Sequence, residues 1–73
     1  MTPTRIAIAG LGAIGRTLAA KIAGGAIPGT VLACVAARDE AKAKAWLAEA
    51  GIDAPVVPLS DFPALADLAV ECA

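Results

Sequence analysis

The chain opens on a short apolar run, Arg5-Ile6-Ala7-Ile8-Ala9, that ends at a glycine and reads as a buried strand. A glycine-rich turn follows, from Gly10 to Gly15. From Ala13 the spacing becomes helical. Ile14, Leu18 and Ile22 fall at i, i+4 and i+8 on one face, while Arg16 and Lys21 lie off that stripe, toward solvent. Gly24-Gly25 stops the helix. Thr30 to Ala36, introduced by Pro28-Gly29, is a second apolar run with β-branched residues at 30, 31 and 35, and it reads as a second strand. Asp39 is placed to cap a second helix. That helix has Ala43, Trp46, Leu47 and Ala50 at i, i+3, i+4 and i+7, and Gly51 stands where a C-terminal cap belongs. Trp46 reads as a packing residue. Pro55-Val56-Val57-Pro58 predicts a short third strand, and proline at both ends suits a sheet edge. Ser60 or Asp61 is placed to cap one or two helical turns through Leu65. Asp67 precedes a last apolar run, Leu68 to Cys72, which reads as a fourth strand.

Strands alternating with helices predict an α/β fold with a parallel, doubly wound sheet. Right-handed crossovers place the first strand in the middle, so the expected strand order is 3-2-1-4. Cys34 and Cys72 then stand on strands two apart, about 10 Å from each other at ~4.8 Å per strand. That exceeds the ~7 Å limit for a bridge, and both are expected to be free thiols.

Composition narrows the function. The chain has 73 residues, 59% of them hydrophobic, and a net charge of −1. Mean hydropathy is +0.76. A single domain typically takes ~100–200 residues, so a two-domain enzyme is excluded, and a chain this short is expected to be part of a larger fold. Six basic residues balance seven acidic ones without clustering, and aromatic residues are scarce, which argues against nucleic acid. The longest uncharged run, Ile22 to Ala37, is shorter than the ~18 residues of a span and is broken by Gly24, Gly25, Pro28 and Gly29. No membrane partner is expected. Ile6 to Gly15 makes a poor signal-peptide core, because glycines break it and no cleavage region follows. The default compartment is cytoplasmic. No histidine is present, which removes imidazole catalysis and His-ligated metal sites from these residues; no metal site is expected.

The informative motif is Gly10-Leu11-Gly12-Ala13-Ile14-Gly15, a G-x-G-x-x-G between a strand and a helix. The bare spacing is weak and also fits an alanine-rich turn that permits close packing; the strand–turn–helix context raises it to a dinucleotide-binding loop. Gly10 turns the chain off the strand, Gly12 lets a pyrophosphate approach the backbone, and Gly15 lets the helix pack on the strand. The helix start adds free N–H groups and partial positive charge. A P-loop is excluded, since no Gly-Lys-Ser/Thr follows. The fold expected is therefore a partial Rossmann sheet.

An acid at the end of the second strand would hold the adenosine ribose. Ala37 stands there instead, followed by Arg38, which could face a 2′-phosphate and stack on adenine. This favours NADP, or dual use of NAD and NADP. The alternatives are a solvated Arg38 and Asp39 as the ribose acid, although capping already accounts for Asp39. At the end of the fourth strand, Cys72 and Ala73 are expected to border the nicotinamide-side ribose. Cys72 has no neighbouring base and reads as a small filler, not a nucleophile. Glu71, unusual within a strand, turns either toward the cofactor or toward another domain.

Together these pieces resemble the N-terminal part of L-aspartate dehydrogenase, whose nucleotide domain is similar to that of homoserine dehydrogenase. The matching residues are Arg5 to Gly15, Gly25-Ala26-Ile27-Pro28-Gly29, Val35 to Asp39, and Asp67 to Ala73. The closing Val70-Glu71-Cys72-Ala73 is more telling than the generic loop. The resemblance implies NAD(P)-linked interconversion of L-aspartate with iminoaspartate or oxaloacetate and ammonia. It also implies a homo-oligomeric complete protein whose second domain holds the amino-acid substrate and a catalytic histidine. Only the cofactor positions carry over: Gly10, Leu11, Gly12, Ala13, Ile14, Gly15, Ala37, Arg38, Cys72 and Ala73. No catalytic residue is expected in residues 1–73, the other Rossmann strands and the substrate domain are expected outside them, and the isolated chain is expected to be inactive. A homoserine dehydrogenase or another reductase with the same domain remains the alternative, as does a non-catalytic nucleotide-binding module.

Overall fold

In β1 (Thr4–Ala9), large and small residues alternate: Ile6 and Ile8 face one side, Ala7 and Ala9 the other. That alternation sorts the whole fold. The structure, a computed structural model describing residues 2–72, continues with α1 (Ala13–Ala23), β2 (Thr30–Ala36), α2 (Glu40–Ala50), a 3-10 turn at Leu59–Asp61, α3 (Phe62–Leu65) and β3 (Leu68–Glu71). The isoleucine side packs with Ala19 and Ile22 of α1, Ala43 and Leu47 of α2, and Val35 of β2. The alanine side is covered thinly. Ala7, Cys34 and Ala36 form a second cluster there with Phe62, which α3 lowers onto the sheet.

The sheet is parallel, in the order β2-β1-β3, so the first strand is central as expected. Thr30 to Ala36 is the second strand with its expected bounds, and the expected fourth strand is β3. The expected third strand shrinks to one parallel bridge, Val56 beside Val35. Pro55 accepts from the Val35 N–H at 3.0 Å and Val57 donates to the Val35 carbonyl at 2.8 Å. Beyond those two bonds the flanking prolines have no N–H to extend a ladder. The bridge lies on the far side of β2 from β1, so its placement agrees with the order 3-2-1-4. A register shift between Ile6 and Ala7 leaves Ala33 without a partner across the pair.

Helix ends follow the sequence closely, with two corrections. The Asp39 side chain caps α2 by accepting from the Lys42 N–H at 3.0 Å, and Gly51 ends that helix in the left-handed conformation, φ 71°. Neither Ser60 nor Asp61 caps the next turns through a side chain. On α1 the buried stripe is Gly15, Ala19 and Ile22, not Ile14, Leu18 and Ile22; Ile14 is 74% exposed. The reason is backbone proximity. Gly15 sits so near the Gly10 carbonyl oxygen that a Cβ there would overlap it. This turns Gly15 to the sheet, and Ile14 lies ~100° around the helix from it. On α2, Ala43 and Leu47 are buried, Trp46 is half-buried and Ala50 is exposed. Cys34 and Cys72 are free thiols, as expected. Burial pushes the Cys34 thiol pKa up, and the Asp61 carboxylate adds to the shift. No helix is long and apolar enough to cross a membrane among the described residues.

One clamp was not visible in the sequence. The Asp67 carboxylate accepts from the Arg5 backbone N–H at 2.9 Å and from its guanidinium at 3.0 and 3.3 Å. The Asp67 N–H returns a bond to the Arg5 carbonyl at 2.8 Å. The pair fixes the register in which β3 joins β1. The guanidinium, and then the backbone N–H, hold the Asp67 pKa below its usual 3.8. A carboxylate with a depressed folded-state pKa stabilises above the unfolded value and loses that contribution as pH falls through the folded one. Below about pH 4, stability should therefore fall more steeply in the wild type than in Asp67→Asn. Thermal melting across pH 2–7 checks this, and parallel curves for the two proteins would exclude it.

Candidate functional site

The site is built at the carboxyl ends of the parallel strands, where β1 gives way to α1. Gly10 leaves β1 with φ 100°, a conformation that a side chain would strain, and its N–H donates to the Ala36 carbonyl at 2.8 Å. The loop is thus tied to the end of β2 as it turns. Gly15 then brings α1 against the loop from behind. A Cβ placed on Gly15 would also lie 3.4 Å from that of Cys72.

Gly12 differs in kind. Its conformation is ordinary extended backbone, φ −77° and ψ −164°, and an added Cβ would meet nothing within 4 Å. Neither backbone strain nor internal packing calls for glycine there. The open space in front of it is a cradle that a side chain would fill.

The two long helices begin in opposite ways. α2 has the Asp39 cap and Glu40 in its first turn. α1 has no side-chain cap and no acid in its first turn. Among the described residues, the N–H groups of Leu11, Gly12, Ala13, Ile14 and Gly15 find no acceptor in the protein. A row of free donors at the positive end of an 11-residue helix, with open space ahead, fits an anionic group such as a pyrophosphate.

Two clefts meet at Gly10. One, of about 680 Å³, runs between the loop and the start of α2, and its wall includes Gly12, Arg16, Ala37, Arg38 and Lys42. The other, of about 650 Å³, runs over the ends of β1 and β3, and its wall includes Arg38, Glu40, Phe62 and Glu71. Ala37 and Arg38 line both. Arg38 is exposed, and its side chain has no hydrogen-bond partner among the described residues, whereas Asp39 is engaged by its own helix.

The other expected site residues fall as follows. Leu11 is buried in the core yet lines the cleft beside Gly12, and Ala13 lines the same cleft. Ile14 projects to solvent from the first turn. Cys72 is half-buried, packs behind Gly15, and donates its N–H to the Ala9 carbonyl at 2.8 Å. Glu71 lines the cleft over the strand ends together with Ala69 and Val70 of β3. Ala73 lies outside the described residues.

Sequence reasoning missed two cations. Lys42 enters the cleft wall because it stands one turn into α2 beside Arg38. Arg16, expected in solvent, is half-buried. Its Nε donates to the Leu11 carbonyl at 3.1 Å, and its guanidinium lies over the Trp46 ring, 5.6 Å from the centroid. The cause is the same rotation of α1 that exposes Ile14.

Comparison with known proteins agrees with this geometry. Residues 10–73 match the family described as homoserine dehydrogenase, NAD binding domain. The chain is 41% identical over 68 residues to L-aspartate dehydrogenase 3 of Bordetella bronchiseptica, covering 93% of this chain and 25% of that protein. It is 44% identical over 69 residues to L-aspartate dehydrogenase of Bradyrhizobium diazoefficiens, covering 94% and 24%. The chain thus spans about a quarter of the length of these curated relatives. No solved structure gives a significant match. The family match begins at the first glycine of the loop and takes in every element after it: the chain belongs to the homoserine dehydrogenase NAD-binding domain family, with NAD or NADP as its cofactor.

Proposed function

We propose that residues 1–73 form the N-terminal portion of the dinucleotide-binding domain of an NAD(P)-dependent L-aspartate dehydrogenase. The observation that carries the cofactor part is the uncapped, glycine-led start of α1, open toward a cleft with cations on its wall. Two relatives named L-aspartate dehydrogenase support the substrate. In this reading the free N–H groups of the Gly10–Gly15 loop hold the pyrophosphate. Ala37 leaves room beside the adenosine ribose, and Arg38 faces a 2′-phosphate. The ends of β1 and β3, including the Cys72 and Ala73 backbone, border the nicotinamide-side ribose. A nicotinamide dinucleotide held by these residues would supply hydride transfer for the interconversion of L-aspartate with iminoaspartate, and water would release ammonia from the imine to leave oxaloacetate. The amino-acid site and the groups that move protons are assigned to parts of the complete protein beyond the matched quarter, in a homo-oligomer. The isolated 73 residues bind weakly and do not turn over.

A homoserine dehydrogenase is the second reading, because the matching family is described by that activity. The complete gene product assayed with L-aspartate and with homoserine separates the two. Reduction of NAD+ or NADP+ with L-aspartate alone is the expected result. Turnover of homoserine alone would replace the substrate, and binding without either turnover would favour a non-catalytic nucleotide module.

Gly12→Ser tests the cradle. A serine hydroxyl at this N-cap would bond the first-turn N–H groups, so stability should stay level or rise by a few tenths of a kcal/mol. The same substitution fills the cradle and competes for the donors, so dinucleotide affinity should fall about ten-fold or more. Calorimetric melting and titration with NAD+ measure the two effects separately.

Arg38→Ala should weaken NADP+ by about ten-fold and leave NAD+ within about two-fold, since one charge-assisted contact to a phosphate is removed. Equal losses for the two cofactors would place Arg38 away from the 2′-position.

A further inference from the structure

Arg16 ties three parts of the site together. Its Nε reaches the Leu11 carbonyl at 3.1 Å, its guanidinium lies over the Trp46 ring of α2, and it forms part of the cleft wall beside Gly12. The peptide that joins Leu11 to Gly12 is the one Arg16 grips. In a trans peptide the carbonyl and the next N–H point in opposite directions, so holding the Leu11 oxygen also sets the direction of the Gly12 N–H. Without that grip, the peptide would turn about Leu11 ψ and Gly12 φ, and glycine, having no Cβ, opposes that turn less than any other residue at position 12. Rotation would turn a carbonyl oxygen toward a bound phosphate where an N–H belongs.

We infer that Arg16 is a positioning residue that locks the Leu11–Gly12 peptide with its N–H presented to the dinucleotide, and that Trp46 holds Arg16 in place. The inference rests on the loop being the pyrophosphate site, as proposed above. Arg16 acts through the backbone and does not itself touch the phosphate. Its removal therefore weakens NAD+ and NADP+ equally, unlike removal of Arg38. Planarity matters as well as charge. An arginine can donate edge-on to a carbonyl while its face lies on an indole, and a lysine ammonium cannot do both.

The test uses the complete gene product as wild type, Arg16→Met, Arg16→Lys and Trp46→Leu. Titration with NAD+ and with NADP+ is run at low and high salt, alongside thermal melting and the carbonyl-carbon resonance of selectively labelled Leu11. Arg16→Met should lose about ten-fold in affinity for both cofactors, as expected for a lost charge-assisted hydrogen bond. A large part of that loss should persist at high salt, where through-space attraction is screened, and the Leu11 resonance should move. Arg16→Lys should recover part of the affinity and part of the resonance shift. Trp46→Leu should cost a smaller factor, about two- to five-fold. Unchanged affinity in Arg16→Met would overturn the inference while leaving the dinucleotide site intact. So would a loss confined to NADP+, or one abolished at high salt, because either outcome marks the charge of Arg16 acting on phosphate and not its hold on the peptide. If Arg16→Met fails to fold, Trp46→Leu carries the test, and full affinity with an unmoved Leu11 resonance there overturns the inference. No binding by the wild type would instead remove the reading of the loop itself.

Discussion

The approach of Gly15 to the Gly10 carbonyl oxygen is the contact on which the rest of the structure depends. It sets how deep α1 sits on β1, and depth here also fixes rotation. With Gly15 facing the sheet, Ala19 and Ile22 follow it into the core. Its two sequence neighbours are thrown to opposite flanks of the helix, ~100° to either side. Ile14 goes to solvent. Arg16 goes toward α2, where it meets the Leu11 carbonyl and Trp46. A side chain at position 15 would lift the helix from the loop and disturb both flanks at once. The third glycine of the motif is thus a packing residue whose effect reaches the ligand side through its neighbours.

The opposite edge of the sheet is held by different means. Of the β3 side chains only Val70 is even half-buried, so this strand gains little from the core. Its ladder to β1 is closed at one end by the Cys72–Ala9 bond and at the other by the Arg5–Asp67 pair. The pair is about half exposed, and an exposed ion pair alone is worth little. Two further bonds join Asp67 to the Arg5 backbone, which makes it a register pin more than a source of stability. Register matters because Glu71 reaches the cleft wall and Cys72 backs Gly15 only in this pairing.

Much of this was legible in the sequence. The parallel sheet, its central first strand, the Asp39 cap and the glycine loop follow from local chemistry: apolar runs, a capping side chain, glycines at fixed spacing. What was not legible depends on distance between segments. Ile14, Leu18 and Ile22 form a valid helical stripe, and only the Gly10 carbonyl decides that the neighbouring stripe is buried. Arg5 and Asp67 stand far apart in sequence, and nothing local to either marks the partner. The strand expected at Pro55–Pro58 kept its place but not its length, because two missing N–H groups limit a ladder whatever the valines prefer. The sorting of isoleucine to one face of β1 and alanine to the other was present in the letters, yet it became meaningful only once both long helices proved to lie on the isoleucine side.

A net charge of −1 gives no sign of the anion site proposed for the glycine loop, which depends on where the charges stand. The charges are divided by position. Arg16, Arg38 and Lys42 stand with Asp39 on the wall of the cleft beside the glycine loop, while Glu40 and Glu71 stand on the wall of the cleft beyond it, which Arg38 also lines. Asp39, the acid nearest the cations, is taken up by the helix it caps and so offsets them less than a free carboxylate would. Charges that balance over the whole chain can still leave a positive field a few ångströms across, because charges of opposite sign that stand apart do not cancel at short range. The uncapped start of α1 adds to the same side. Whole-chain charge is therefore a poor guide to a ligand that carries its phosphates at a single point.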